Sequence, residues 1–136
     1  MSDTSLHITL VTPEQLYLET EVDMAVLPAS LGEVGIMRDH APFVSSLKPG
    51  VIRLHESADS STHVFVSGGY VETHGERCTV LAEELLAIDT LDKAGLEQEL
   101  EELTQAIAQR GAEDVDSYML EKHAVIQAKL EAIAQA

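Results

Sequence analysis

The chain contains a single cysteine, no tryptophan, 4% aromatic residues and only 8 lysines and arginines among 136 residues. Each scarcity excludes something. One cysteine rules out an internal disulfide framework and a multi-cysteine zinc site. That residue, Cys78, sits in Arg77-Cys78-Thr79-Val80-Leu81, which reads as a strand, where cysteine packs as a small hydrophobe. The shortage of aromatics implies a mainly aliphatic core. Against 8 cations stand 24 aspartates and glutamates, for a net charge of −16. Phosphate backbones are bound by clustered Lys and Arg, so no nucleic acid is expected as a partner, and no polybasic membrane anchor is present. No apolar run approaches the roughly 18 residues of a transmembrane helix, and no basic, apolar, small-residue leader pattern opens the chain. The expectation is a protein of the reducing cytoplasm that meets a membrane only through a partner. At 45% apolar and this length, it reads as one globular domain, or a domain with an appendage.

The hydrophobic pattern changes period along the chain. Up to about Glu84 it is short and strand-like: His7–Val11, Gln15–Leu18, Val22–Leu27, Gly35–Met37, Val44–Leu47, Val51–His55, Thr62–Ser67, Tyr70–Thr73 and Arg77–Ala82 are rich in Val, Ile, Leu, Thr and Tyr. Some alternate, with Val64 and Val66 on one face against His63 and Phe65 on the other. Thr12-Pro13, Leu27-Pro28, Lys48-Pro49-Gly50, Gly68-Gly69 and His74-Gly75 punctuate them as turns, and Glu56–Thr62 reads as a solvated hairpin tip. Many short strands at close spacing mean a sandwich or barrel.

After Asp89 the spacing becomes helical. Leu96, Leu100, Leu103 and Ile107 form one stripe, with Asp89 or Thr90 as the expected cap and Arg110-Gly111 as the expected stop. Asp114-Val115-Asp116-Ser117 offers a fresh start, and Met119, His123, Ile126, Leu130 and Ile133 make a second stripe. Two helices of about 18 residues joined by a short polar turn predict an antiparallel hairpin. Its stripes are narrow and alanine-rich, so it buries little area and is marginal alone.

Catalytic signatures are missing. There is no P-loop, no G-x-G-x-x-G, no G-x-S-x-G and no H-E-x-x-H. Ser67-Gly68-Gly69 lacks the glycine that would precede a nucleophilic serine, and a tight turn explains its glycines. The 6 histidines form no ligand pair, although His123 falls on an apolar stripe and suggests a pH-sensitive helix contact. The carboxylates of Glu97–Glu102 spread around a helix and read as a solvated face. The densest unusual segment is Gly32-Glu33-Val34-Gly35-Ile36-Met37-Arg38-Asp39-His40-Ala41-Pro42-Phe43. Either Arg38, Asp39 and His40 satisfy one another locally, or the corner projects Glu33 and His40 towards a partner; spacing leaves both open. The residues alone are also compatible with a free-standing binding module that dimerises through its helices.

That segment carries a resemblance. Gly32-Glu-x-Gly-Ile-x-x-x-His40-Ala-Pro, Leu47-Lys-Pro-Gly50-x-Ile-Arg53, Phe65-x-Ser67-Gly-Gly-x-x-Glu72 and Thr79-Val-Leu-Ala82 resemble the epsilon-subunit family of F-type ATP synthases. His7-Ile-x-Leu-Val-Thr-Pro-Glu14 and Leu91-Asp92-x-Ala94 agree with it, and the likeness runs through the whole chain in order. It implies a ten-stranded N-terminal β-sandwich docking domain over residues 1–86 and a C-terminal antiparallel two-helix regulatory hairpin over residues 87–136. The implied function is a non-catalytic rotor subunit that binds gamma, sits on the c-ring and couples proton translocation to ATP synthesis. The hairpin would reach the alpha and beta subunits when extended and inhibit ATP hydrolysis, and the location would be the cytoplasmic face of the cell membrane. Glu33 and His40 match positions at the polar loops of the c-ring. Leu91-Asp92 begins the motif through which some members bind ATP, but Gly95 stands in place of its arginine, so no cofactor is implied. Arg38-Asp39 replaces the family's Pro-Gly, and only Lys122 and Lys129, beside Glu121 and Glu131, are available for an electrostatic inhibitory contact.

Overall fold

A computed structural model describes residues 5–111 and 115–135. Packing divides the chain into two compact units, Met1–Ala87 and Ile88–Ala136.

The first unit is all β. Its strands are β1 (Leu6–Val11), β2 (Leu16–Val22), β3 (Met24–Ala29), β4 (Gly32–Ile36), β5 (His40–Leu47), β6 (Gly50–Ser57), β7 (Ser60–Val66), β8 (Gly69–Gly75), β9 (Arg77–Ala82) and β10 (Leu85–Ala87). They follow the order β10-β7-β6-β3-β5-β8-β9-β1-β2, with β4 added on β3. All the pairings are antiparallel except β1 with β9. A single residue pair, Ala29 with Leu47, joins β3 to β5, and there the ladder passes from one layer of the sandwich to the other.

Side chains alternate across each strand, so one set from each layer meets inside. Leu6, Ile8 and Leu10 of β1, Val71 of β8, and Cys78 and Val80 of β9 pack with Leu27 of β3, Ile52 and Leu54 of β6, and Val64 and Val66 of β7 in one buried cluster. Burying each Leu or Ile contributes roughly 1.5–3 kcal/mol.

Several local expectations are corrected. Val22 closes β2 and Asp23 makes a bend, so Val22–Leu27 is not one strand. Val22 pairs with Leu6, whereas Met24 pairs with His55, and the chain changes layers between them. The expected hairpin tip at Glu56–Thr62 shrinks to Ala58-Asp59, because Ser57 pairs with Ser60. Phe65 is buried along with Val64 and Val66, so burial on β7 does not alternate there.

Cys78 is a buried hydrophobe, as expected. Desolvation pushes its thiol up to about 11, against a hydrogen bond with Thr73 that pulls it down. The thiolate is the reactive form, so native protein at pH 8 is expected to resist iodoacetamide and to react once unfolded in urea. Fast labelling of the native chain would contradict this burial.

The second unit begins with a single 3-10 turn, Ile88–Thr90, followed by α1 (Lys93–Gln109) and α2 (Ser117–Gln135). Gly95, Leu96, Leu100, Leu103, Ala106 and Ile107 are the positions of α1 withdrawn from solvent, and α2 buries Ile126 and Ala132. The N-cap expectation is corrected, whereas the helix stops where expected, at Arg110. Asp89 and Thr90 are used up in the 3-10 turn, and Asp92 takes the cap position without a side-chain cap bond. At the other end Arg110 is extended and its N–H reaches the Ile107 carbonyl, while Gly111 is not in the left-handed region. Asp116 caps α2, its Oδ1 accepting from the Met119 N–H at 2.9 Å; Asp114 lies outside the described residues. Across the hairpin, Thr104 Oγ1 and His123 Nε2 are 3.2 Å apart, so the histidine of the second stripe meets a hydroxyl of the first helix.

Candidate functional site

The β3–β4 hairpin carries Glu33 to one end of the sandwich. Its tip, Ser30-Leu31-Gly32, turns through Gly32 at a φ of +135°, where a residue with a Cβ is strained. Leu31 is fully exposed there. The Ser30 N–H reaches the Ser46 carbonyl at 3.0 Å, and the Lys48 N–H reaches that of Pro28 at 2.8 Å, so the tip is tied to the far end of β5. Glu33 has an intramolecular partner: Arg53 Nη2 donates to its Oε2 at 2.9 Å.

The Arg38-Asp39-His40 corner lies at the opposite end of β5. His40 opens that strand and Leu47 closes it, roughly 20 Å apart at about 3.3 Å per residue. Glu33 and His40 are therefore not brought together. Nor do Arg38, Asp39 and His40 satisfy one another. Arg38 pairs with Glu76 at 3.1 Å, the Asp39 N–H reaches the Gly75 carbonyl at 2.8 Å, and Asp39 itself adopts a φ of +66°. The His40 Nδ1 donates to the Ala41 carbonyl at 2.8 Å, and its ring meets Phe43 edge-on with centroids 5.9 Å apart. The pairing with Glu76 joins residues far apart in the chain, so local spacing could not disclose it.

Strand register assembles a surface that the sequence pattern hides. Tyr70 lies opposite Leu81, Leu81 beside Val11, and Val11 opposite Leu16. Tyr70, Leu81 and Leu16 are each more than half exposed, as is Val44 on β5. An apolar row thus crosses β8, β9, β1 and β2 on the outer face. Two rows along, the same face is ionic. His7 lies opposite Glu21 and beside Arg77, with its Nε2 3.0 Å from Glu19 and its Nδ1 3.1 Å from Glu21. Hydrogen bonds from His7, then from Ser5, hold the Glu21 carboxyl below its ordinary value. A depressed carboxyl stabilises the fold above its unfolded-state value and loses that contribution as pH falls through the lowered one. Large apolar side chains spread over adjacent strands and left in solvent mark an interaction face more often than a defect.

In the helical unit, Thr90, Leu91, Asp92, Gly95, Leu96, Gln98, Glu99 and Glu102 line an open concavity of about 430 Å³. Its charged lining is all carboxylate, and no cation faces it to receive a phosphate. Gly95 lies against Asp92: a Cβ there would stand 2.6 Å from Asp92 Oδ2. Among the described residues no cluster of His, Cys, Asp or Glu is placed to hold a metal ion, and no helix is long and apolar enough to cross a membrane.

Comparison with known proteins gives one answer. Residues 5–88 match the ATP synthase delta/epsilon chain β-sandwich domain. The ATP synthase epsilon chain of Rhodospirillum centenum is 38% identical over 135 residues, covering 95% of this chain and 92% of that one. That of Parvibaculum lavamentivorans is 37% identical over 117 residues, covering 86% and 89%. Among solved structures, a chain of the Euglena gracilis mitochondrial ATP synthase (OSCP/F1/c-ring) shares the fold with a TM-score of 0.78 at 19% identity, covering 96% of this chain and 80% of that one. A chain of the Tetrahymena thermophila central stalk and c-ring does so at 0.59 and 16%, covering 94% and 96%.

Proposed function

The chain belongs to the ATP synthase epsilon chain family, whose members are non-catalytic accessory subunits of the complex, and from that premise we propose that it is a rotor subunit which couples proton flow through the c-ring to ATP synthesis by docking on gamma. The observation that carries this reading is the apolar row of Tyr70, Leu81, Val11 and Leu16 on the outer sheet face, with exposed Val44 in the next row. A free-standing sandwich has no use for it, and a shaft-like partner covers it. The β3–β4 tip, with exposed Leu31 and half-exposed Glu33, is the part offered to the polar loops of the ring. His40 shares that contact only if β5 lies along the ring, because it occupies the other end of the strand.

The helical unit is the regulatory part. Its seam of Leu, Ile and Ala buries few residues fully, which suits a hairpin that opens to reach the alpha and beta subunits and slow ATP hydrolysis. With Lys122 and Lys129 as the only cations of α2, that contact depends on apolar insertion more than on charge. The carboxylate-lined concavity around Leu91, Asp92 and Gly95 supports a protein that takes no ATP there and needs no cofactor. Association with the membrane is peripheral, on the cytoplasmic face, through the complex.

Co-purification with gamma tests the reading. The full chain and residues 1–87 are both expected to bind gamma one to one, because the docking row lies wholly within the β unit. Failure of both to bind would sink the rotor assignment in favour of an independent module. Binding by the full chain alone would move the docking surface to the helices.

A further inference from the structure

Arg53 and Glu33 are 20 residues apart in sequence, yet the sheet aligns them. Arg53 on β6 lies opposite Val26 on β3, and Val26 lies opposite Gly35 on β4. Cross-strand partners share a face, and so do residues two apart on one strand. Arg53, Val26, Gly35 and Glu33 therefore all project outward, away from the core that takes Ile52, Leu54 and Ile36. The Arg53 side chain crosses β3 diagonally to reach Glu33, and Gly35 puts no side chain in the way.

The pair is made at one point. Nη2 holds Oε2 at 2.9 Å, and the described residues leave Oε1 free. A lone glutamate two residues from a hairpin tip would sample many rotamers. This one is tethered from β6 by the engaged oxygen, two residues along the chain from the exposed Leu31. From this geometry we infer that Arg53 is the positioning residue for the ring contact: it orders Glu33 in advance so that Oε1 accepts a hydrogen bond from a single N–H donor on the ring's polar loop. The inference rests on the reading of Glu33 as a ring-facing residue and adds to it a second residue and the chemistry of the partner group. Immobilising a rotamer-rich side chain before binding removes a cost otherwise met on association, which corresponds to about three- to tenfold in affinity.

The test is a double-mutant cycle on the full chain bound to gamma, titrated onto detergent-purified c-ring, with thermal melts confirming that each variant folds. Glu33→Gln is expected to weaken ring binding, Arg53→Gln to weaken it three- to tenfold, and Arg53→Lys to recover most of that loss. In a Glu33→Ala background, where no side-chain oxygen remains to position, Arg53→Gln should have almost no further effect. If Arg53→Gln costs the same with and without Glu33, Arg53 acts elsewhere and the inference is overturned while the ring contact stands. If Glu33→Gln leaves ring affinity unchanged, the ring contact itself fails and the inference falls with it.

Discussion

Replacing Gly69 by alanine is expected to lower stability by on the order of 4 kcal/mol, near the upper end for a single substitution. Gly69 opens β8 at a φ of +143°, a region that residues with a Cβ rarely adopt. Its surroundings add a second penalty. A Cβ at this position would collide with the Leu81 carbonyl oxygen and stand 2.8 Å from the Ala82 Cα. Both are backbone atoms of β9, the strand that β8 pairs with through Gly69 and Ala82, so relief requires the two strands to part. Gly75 is the control. It too has positive φ, +62°, but nothing lies within 4 Å of its missing Cβ, and Gly75→Ala should cost only about 1–2 kcal/mol. Urea unfolding of the two variants separates strain from collision. A Gly69→Ala variant no less stable than Gly75→Ala would show that the strand approach is looser than the structure has it.

The same glycines show what the sequence could and could not reveal. Ser67-Gly68-Gly69 reads as a tight turn, and the chain does break between strands at Ser67-Gly68, but Gly69 already belongs to β8. That Gly69 lies against the β9 backbone is invisible there, since it depends on which strand lies alongside. The helices behave likewise. The stripe at Leu96, Leu100, Leu103 and Ile107 fixes which side of α1 is covered, because periodicity is a property of one element. Its cap lies at Asp92, three residues past Asp89, because the 3-10 turn at Ile88–Thr90 intervenes, and such turns have little pattern of their own. The tenth strand, Leu85–Ala87, is too short to alternate and comes from the family resemblance alone.

The candidate site was legible in parts. Glu33 and His40 stand out in a dense motif, but their partners, Arg53 for one and Ala41 and Phe43 for the other, come from pairing and local geometry that spacing does not carry. The apolar row was missed for a physical reason. In Arg77–Ala82 the inward set is Cys78, Val80 and Ala82, and the outward set is Arg77, Thr79 and Leu81. The largest hydrophobe of the strand is on the wet side, so composition alone assigns Leu81 to the core. Only the neighbouring strands, which place Tyr70 and Val11 on either side of it, turn one exposed leucine into part of a surface.

That surface supports the other large expected effect: Leu81→Asp should weaken binding to gamma about a hundredfold or more, in the range of interface hot spots, with little change in the free chain's unfolding. The two halves of this expectation have separate origins. In the free chain Leu81 is more than half exposed and projects to the side of β9 opposite Cys78, Val80 and Ala82, so the substitution leaves that buried set intact. In the complex, the same position would bury a carboxylate in the middle of an apolar row, where an unpaired charge is costly. Glu72 and Glu19 lie in the next row of that face, so that row adds like charge and no compensating cation. Leu120→Asp serves as the control, since Leu120 on α2 is as exposed but belongs to the other unit, and gamma affinity should not respond. Equal binding by wild type and Leu81→Asp would remove the row from the interface and leave the exposed hydrophobes of the sheet face unexplained. A selective loss at Leu81 would instead tie docking to register itself, because only the alignment of β8, β9, β1 and β2 makes these side chains neighbours.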